Sequence, residues 1–138
     1  MAKVTFSGLN EYISQVTTLR DKSVSACKYS LYEMAGVFAD SIKAATHAHD
    51  RTGDLAASLG IHEMYESNGT VSTYIGFSGY DRNGTPNPLK ANILESGTSD
   101  GRVKKTHFFT NAVKNAKAAA EASAVAAFDD YTSKIAKE

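Results

Sequence analysis

Apolar residues recur every three or four positions through the first third of the chain, which is the spacing of one face of an α-helix. They form two stripes, the first of Leu9, Tyr12, Ile13, Val16 and Leu19, and the second of Val24, Cys27, Leu31, Met34, Phe38, Ile42 and Ala45. Asn10 is a suitable N-cap for the first stripe, and Asp21 or Ser23 for the second. The pattern predicts a short helix that leads into a long one. Gly36 interrupts the second stripe and predicts a close approach by another segment, since glycine costs about 1 kcal/mol against alanine inside a helix.

The helical pattern fades before the stretch HDRTGDLAASLG, which combines two glycines, charges and a short apolar run. Either Asp50 or Thr52 can accept hydrogen bonds from the free amides of a new short helix.

A β-hairpin is predicted next, because GIHEMYES and TVSTYIGF flank Asn68-Gly69, the dipeptide most typical of a two-residue type I′ turn. A two-residue loop pairs Glu66 with Val71, and further along it pairs Met64 with Thr73 and His62 with Ile75. One face of the hairpin, predicted to be buried, carries Met64, Val71, Ile75 and Phe77. The other face, predicted to be half exposed, carries Glu63, Tyr65, Ser72 and Tyr74.

The second half of the chain alternates polar loops with apolar segments. Residues 78–90 contain both prolines and predict a loop. The following LKANILESGT predicts a short element, either a third strand or a helical turn. Residues 98–106 predict a second loop, and a helix follows whose alanine-rich stretch AKAAAEASAVAA permits close helix contact.

These elements predict an α+β fold in a single domain of residues 1–138. It consists of a long N-terminal helical region, a small antiparallel sheet built on the hairpin, and a C-terminal helix packed on it. The predicted parts are a helical region at 8–47, a corner and hairpin at 50–77, loops and a short element at 78–106, and the C-terminal helix at 107–136.

Composition narrows the functional classes. The chain has 138 residues with 15 Lys and Arg against 15 Asp and Glu, so no overall charge draws it to nucleic acid or to an acidic membrane. It has no run of about 18 apolar residues and no apolar signal region near its start, which predicts neither a membrane span nor secretion. The one cysteine, Cys27, lies on an apolar stripe and predicts a small buried hydrophobe rather than a nucleophile.

The sequence contains no catalytic, cofactor-binding or metal-binding pattern. His47 and His49 stand two positions apart, which points their imidazoles to different sides of a helix, and we expect them to be exposed at a helix end. Ser58 belongs to no nucleophile elbow. The glutamates Glu33, Glu63 and Glu95 are too scattered to pair as acid and base. We therefore expect a protein that is not an enzyme and that needs no cofactor.

Basic residues cluster in the second loop as Arg102, Lys104 and Lys105. This cluster is either a solvated connector or an interaction loop for the DNA backbone or for an acidic partner. Because both loops are polar and contain few large apolar groups, we expect residues 78–90 and 98–106 to be mobile in a lone subunit and to become ordered on assembly.

Three segments together resemble a protein family. DRTGDLAASLGI, ILESGT and HFFTNAV resemble, in this order, the motifs of the neck or tail-completion proteins of tailed phages known as gene-product-ten-like, from lambdoid phages. The matching positions are Thr52, Gly53, Leu55 and Ser58 in the first motif, Glu95, Gly97 and Thr98 in the second, and Phe108 and Ala112 in the third. The opening VTFSGLNEYISQV also resembles the start of this family, in which a Gly-Leu pair precedes the first helix. Members often have a proline before the Thr-Gly turn and before the phenylalanine, where this chain has AHDR and His107. The resemblance also implies that Thr-Gly-Asp is a corner that redirects the chain from helix to sheet, in which Gly53 supplies backbone freedom and Leu55 anchors the corner in the core.

The resemblance implies a non-enzymatic structural protein of a phage or prophage virion, which is assembled in the cytoplasm of a bacterial host. It implies head–tail joining and tail completion at the neck, with the chain acting as one copy in a homo-oligomeric ring. Its partners are then other neck, connector or tail proteins, with DNA met only through the channel and no membrane involved. The alternative is a small intracellular binding module that holds a ligand or nucleic acid on the half-exposed sheet face and the basic loop.

Overall fold

A computed structural model of the chain describes the backbone of residues 10–68 and 70–136 and the side chains of residues 21–68 and 70–134. In chain order the elements are α1 (Asn10–His47), α2 (Asp54–Ala57), β1 (Leu59–Ile61), β2 (Tyr65–Ser67), β3 (Thr70–Ser72), β4 (Ile75–Phe77), α3 (Asn87–Ser96) and α4 (Phe108–Ala136). The predicted α+β class is confirmed, because a long N-terminal helix and a C-terminal helix flank small antiparallel ladders.

The N-terminal helical region is one continuous helix of 38 residues, so the prediction of a short helix followed by a long one is wrong. Asp21 and Ser23, taken as possible caps, lie inside α1. Neither residue breaks a helix, because each costs well under 1 kcal/mol relative to alanine and the segment contains no proline. The capping role predicted for Asn10 and the segment before it lie outside the described side chains.

Helices α1 and α4 pack against each other in antiparallel orientation. The Ser30 hydroxyl donates to the carbonyl of Ala124 at 2.7 Å, and the Ser41 hydroxyl donates to the carbonyl of Ala112 at 2.9 Å. The two helices therefore run in opposite directions. Alanines supply the buried positions of α4 beyond its first turn, namely Ala112, Ala116, Ala120 and Ala127. Such small side chains let the two helix backbones come close enough for serine hydroxyls to reach the opposite carbonyls.

The predicted apolar stripe of α1 is only partly buried. Val24 and Ile42 are buried, together with Ala26 and Ala35, which the stripe did not include. The other stripe residues are half-buried, namely Cys27, Leu31, Met34, Phe38 and Ala45. The interpretation of Gly36 is also wrong, because a Cβ atom placed there would meet nothing within 4 Å.

The ladders correct the predicted register. Strands β2 and β3 pair Glu66 with Val71, as predicted, but β1 and β4 pair Ile61 with Ile75, so the predicted pairing of His62 with Ile75 is wrong. The predicted pair of Met64 and Thr73 is also absent from the described ladders. Three residues at 62–64 lie opposite two at 73–74, which is a one-residue bulge that divides the hairpin into two short ladders.

The bulge is closed by polar and aromatic contacts. The backbone N–H of His62 donates to the carbonyl of Tyr74 at 2.9 Å, and the Thr73 hydroxyl donates to the carbonyl of His62 at 2.5 Å. The His62 and Tyr74 rings stack with their centroids 3.9 Å apart. Asn68 has a φ of 51°, as a type I′ turn requires, whereas Gly69 lies outside the described residues.

The two faces of the hairpin differ less in burial than predicted. Met64, Val71, Ile75 and Phe77, which the pattern assigned to a buried face, are half-buried. On the other face Tyr65 and Tyr74 are exposed. Strands of three residues carry too few side chains to enclose a core of their own, so the hairpin depends on packing against α1 and the C-terminal half.

The element predicted as a third strand or a helical turn is the helix α3, which begins at Asn87, inside the segment predicted as a loop. Pro88 in its first turn explains the early start, because proline there sacrifices no intrahelical hydrogen bond. Leu55, Ala91 and Phe108 form a buried cluster where α2, α3 and α4 meet, with Ala45, Phe77, Leu94 and Phe109 packed around it.

The close packing of α1 on α4 predicts a strong effect of enlarging a buried alanine. Ala120 is fully buried, whereas its neighbour Ala119 is exposed. We expect Ala120→Leu to lower the free energy of unfolding by about 1–3 kcal/mol through overpacking, with Ala119→Leu changing it by less than about 0.5 kcal/mol. Urea unfolding followed by circular dichroism measures both, and equal effects would contradict the described packing.

Candidate functional site

The corner between α1 and β1 is built as the sequence predicts. One carboxylate oxygen of Asp50 accepts from the N–H of Gly53 at 3.1 Å and the other from the N–H of Ala56 at 2.8 Å, while the Thr52 hydroxyl accepts from the N–H of Asp54 at 3.2 Å. Both candidate acceptors are therefore used. Gly53 has a φ of 85°, which explains why glycine is needed there. Leu55 is almost fully buried, as expected of an anchor.

An ion pair that sequence reasoning missed links this corner to the loop before α3. Asp54 accepts two side-chain hydrogen bonds from Arg82, each at 2.9 Å, and a third from the Arg82 backbone N–H at 3.0 Å. These hydrogen bonds and the positive charge of Arg82 hold the pKa of Asp54 well below its usual range. The pair lies at the surface, so it orients the loop more than it stabilises the fold.

The loop of residues 78–86 is organised around Asp81. Its carboxylate accepts from the N–H groups of Asn83 at 2.9 Å and Thr85 at 2.8 Å, and it pairs with Lys90 of α3 at 3.0 Å. The hydrogen bond from Thr85 and the Lys90 ammonium group lower the pKa of Asp81. The polar residues that suggested mobility are thus engaged in hydrogen bonds within one copy of the chain. The sequence DRNGT carried the available signal, since aspartate commonly bonds the backbone two residues on.

Glu95 joins the end of α3 to the start of α4. Its carboxylate accepts from the N–H of Phe109 at 2.9 Å, the N–H of Thr110 at 3.4 Å and the Thr110 hydroxyl. Desolvation by burial raises the pKa of Glu95, but these hydrogen bonds, led by the one from the Thr110 hydroxyl, outweigh it and leave the pKa lowered. The His107 imidazole stands 3.7 Å from the same carboxylate. Glu95 therefore acts as the N-terminal cap of α4, although it lies 14 residues before Phe109.

Gly97 makes the closest backbone contact of the second loop. A Cβ atom there would lie 2.8 Å from both the Lys105 nitrogen and the Val103 carbonyl oxygen, and its φ of 73° with ψ of −178° is a conformation essentially restricted to glycine. The next residue, Thr98, donates its N–H to the Val103 carbonyl and accepts the Val103 N–H on its hydroxyl, both at 3.0 Å. Glycine and threonine together therefore close the loop at its base.

The residues before Phe108 continue this closure. Thr106 donates its N–H at 2.9 Å and its hydroxyl at 2.7 Å to the carbonyl of Leu94, and His107 donates its N–H to the carbonyl of Glu95 at 3.2 Å. His107 has a φ of 51°, whereas proline is fixed near −65°. Proline could not adopt the positive φ of residue 107, which explains why this chain has histidine there.

The basic loop projects into solvent from this closed base. Arg102, Lys104 and Lys105 are all exposed, and Arg102 pairs with Asp100 at 3.4 Å. The Thr98 hydroxyl and the Arg102 N–H donate to Asp100 and lower its pKa. The three cations are thus presented on a loop with a fixed base.

A cleft of about 310 Å³ opens between β4, α3 and the first turn of α4. Phe77, Pro88, Ala91 and Phe109 form part of its apolar lining, and Glu95 supplies the ionisable group among the lining residues. The Glu95 carboxylate in this cleft is the one that accepts the hydrogen bonds from the first turn of α4.

The remaining candidate residues are dispersed. His47 and His49 are exposed at the end of α1, as predicted, and His49 also makes an edge contact with Phe108. Cys27 is half-buried rather than buried. The Ser58 hydroxyl donates to the carbonyl of Leu55 at 2.7 Å, a local turn contact. Within the described residues, no three His, Cys, Asp or Glu side chains are grouped so that they would hold a metal ion.

The structure brings the three motif segments together at one junction. Leu55 of the first and Phe108 of the third meet in the buried cluster, and Glu95 of the second caps the helix that begins at Phe108. Asn68 lies apart from this junction, at the tip of the hairpin. Sequence reasoning missed the partners Arg82, Lys90, Thr106 and Thr110, because each contact joins residues that are distant in sequence.

No family model, curated protein or solved structure matches the chain. In the part of the chain that the structure describes, no helix is both long and apolar enough to cross a membrane.

The contact at Gly97 predicts a substitution effect beyond backbone strain. Gly97→Ala combines a positive φ with a collision against the backbone of residues 103–105, and we expect it to lower the free energy of unfolding by about 2–4 kcal/mol. Gly101→Ala is the matched control, because Gly101 has a φ of 74° but no atom near its missing Cβ. Chemical denaturation compares them, and a Gly101→Ala effect as large as that of Gly97→Ala would contradict the contact.

The Glu95 cap predicts a pH dependence of stability. Because its folded pKa is lowered, the carboxylate stabilises the fold above its unfolded pKa of about 4.3, and this contribution is lost as the pH falls through the folded pKa. We expect Glu95→Gln to cost about 1 kcal/mol at neutral pH, with the difference from the original chain closing below about pH 4. Glu121→Gln, at an exposed position of α4, is the control in unfolding curves recorded across this range. A difference that persists unchanged in acid would contradict the capping role.

Proposed function

We propose that the chain is a non-enzymatic structural subunit of a tailed-phage or prophage particle. In this proposal it completes the tail and joins head to tail at the neck, as one copy in a homo-oligomeric ring. Its partners are neighbouring neck, connector or tail proteins. The proposal rests on the resemblance of the three motifs to the phage family and on the junction at which the motifs meet in the fold.

The observation that carries the proposal is the use of the motif residues as a scaffold. Gly53 and Gly97 adopt backbone conformations that other residues rarely adopt. Leu55 and Phe108 fill the buried cluster, and Glu95 caps α4. Motif residues that stabilise the fold suit a structural subunit, because the function of such a subunit depends on the shape that it presents to its neighbours. An enzyme would need at least one such group directed at a substrate.

The exposed side chains support an assembly role. Tyr65, Tyr74 and Tyr80 are each more than half exposed, and tyrosine is enriched in protein interfaces relative to other surfaces. The basic loop stands on a closed base, so its backbone conformation is already set when its cations meet a neighbour.

The test is a deletion in the phage or prophage that encodes the chain. We expect the mutant to accumulate DNA-filled heads and separate tails by electron microscopy, and expression of the chain from a plasmid to restore joined particles. Immunogold labelling of the restored particles should place the chain at the neck. A plasmid encoding Glu121→Gln serves as a control for tolerance of surface changes.

Two results would overturn the proposal. One is a deletion mutant that assembles joined particles in normal yield, and the other is purified particles that lack the chain. If the chain is absent from particles and the lone protein instead binds duplex DNA with a strong salt dependence, the binding-module alternative is favoured.

A further inference from the structure

The charges of this neutral chain are segregated along the sequence. Residues 101–120 contain five of the fifteen Lys and Arg residues and no Asp or Glu. Residues 52–81 show the opposite pattern, with four Asp and Glu residues and no Lys or Arg. Asp54 and Asp81 of this second segment pair with Arg82 and Lys90, which lie just outside it. The segment therefore contributes two further carboxylates, those of Glu63 and Glu66.

The basic segment contributes three exposed lysines, which we call the basic surface, namely Lys104 and Lys105 in the second loop and Lys114 in α4. Lys114 lies six residues after the start of α4, about 9 Å along the helix axis. None of these three ammonium groups has an ion-pair partner among the described residues. The loop part is held in place by Gly97 and Thr98 at its base.

The acidic segment contributes four exposed side chains to the hairpin, which we call the acidic hairpin, namely Glu63, Tyr65, Glu66 and Tyr74. Tyr65 and Glu66 are consecutive residues of β2 and therefore point to opposite faces of the ladder, so the group surrounds the hairpin rather than covering one face. Within the described residues neither glutamate has an ion-pair partner, and the two tyrosines have more than half of their surface exposed. Exposed carboxylates and exposed aromatic rings on one short hairpin are the composition of a protein interface with a charged rim.

The two surfaces belong to different parts of the fold. Strand β3 of the hairpin packs on α1, whereas the basic surface follows α3 and begins α4. No ion pair joins the basic surface to the acidic hairpin among the described residues of one copy. Their complementary charges are therefore available to another molecule.

We propose that the acidic hairpin of one copy docks on the basic surface of a second copy of this chain. This inference rests on the proposed function, since it identifies the surfaces that connect copies within the ring. When two copies bind through different surfaces, the pair still has one free acidic hairpin and one free basic surface. Further copies can therefore add until the last copy contacts the first and closes a ring. A second copy is favoured over DNA because the chain itself presents the acidic counterpart, with exposed tyrosines beside the carboxylates.

Three double variants with matched changes of charge test this contact. The first is Lys104→Glu with Lys105→Glu, the second is Glu63→Lys with Glu66→Lys, and the control is Lys28→Glu with Lys43→Glu at exposed positions of α1. Self-association is measured by sedimentation velocity at low and at physiological salt, on the full chain with folding checked by circular dichroism.

We expect the original chain and the control to self-associate, more weakly at higher salt. Each interface variant alone should lose affinity by at least about tenfold, because like charges then face each other. An equimolar mixture of the two interface variants should recover assembly, since the reversed loop of one meets the reversed hairpin of the other. Recovery on mixing is the result that a general loss of stability does not produce.

Three results would overturn the inference while leaving the proposed function standing. They are interface variants that associate as well as the original chain, a mixture that does not recover assembly, and an original chain that stays monomeric at every salt concentration. If the lysine variant instead loses salt-dependent binding to duplex DNA and keeps its self-association, the basic surface serves nucleic acid. Failure of the proposed function is a separate result, read from the absence of the chain in particles.

Discussion

The first turn of α4 is the point on which the rest of the structure depends. The first four N–H groups of a helix have no hydrogen-bond partner within it. In α4 the Glu95 carboxylate, at the end of α3, accepts two of them, those of Phe109 and Thr110. Because that carboxylate lies on another helix, capping α4 also joins the end of α3 to the start of α4. Phe108 is then directed into the cluster with Leu55 and Ala91, which packs α2 and α3 against the start of α4.

The two ends of the molecule follow different packing rules. Along most of α4 the contact with α1 uses alanines and serine hydroxyls, which permit a close approach but bury little apolar area per residue. At the junction, by contrast, phenylalanines and Leu55 supply the large side chains. On α1 the larger apolar residues Leu31, Met34 and Phe38 are only half-buried.

The loops are polar because their side chains replace missing backbone partners. Asp81, Thr98 and Asp100 accept N–H groups that neither a helix nor a ladder can satisfy in such tight turns. Polarity in these segments therefore reflects local hydrogen bonding as much as solvent exposure. The cations of the second loop then project from a closed base, which suits a surface that meets a partner of fixed shape.

The sequence alone determined the class of fold, the positions of the corner, the turn and the C-terminal helix, and the special conformation at Gly53. These features depend on interactions within a few residues, such as the spacing of apolar positions and the hydrogen bonds that Asp50 and Thr52 make to nearby amides. The Glu66–Val71 pairing was also predictable, because a two-residue turn fixes the register next to it.

Only the tertiary structure decided the rest. The bulge at residues 62–64 is held by contacts of His62 with Thr73 and Tyr74, which join the two sides of the hairpin. The pairing of Asp54 with Arg82 and the capping of α4 by Glu95 join residues 28 and 14 positions apart. A single sequence carries no periodicity for such contacts, since chain folding, not local propensity, brings their partners within hydrogen-bonding distance.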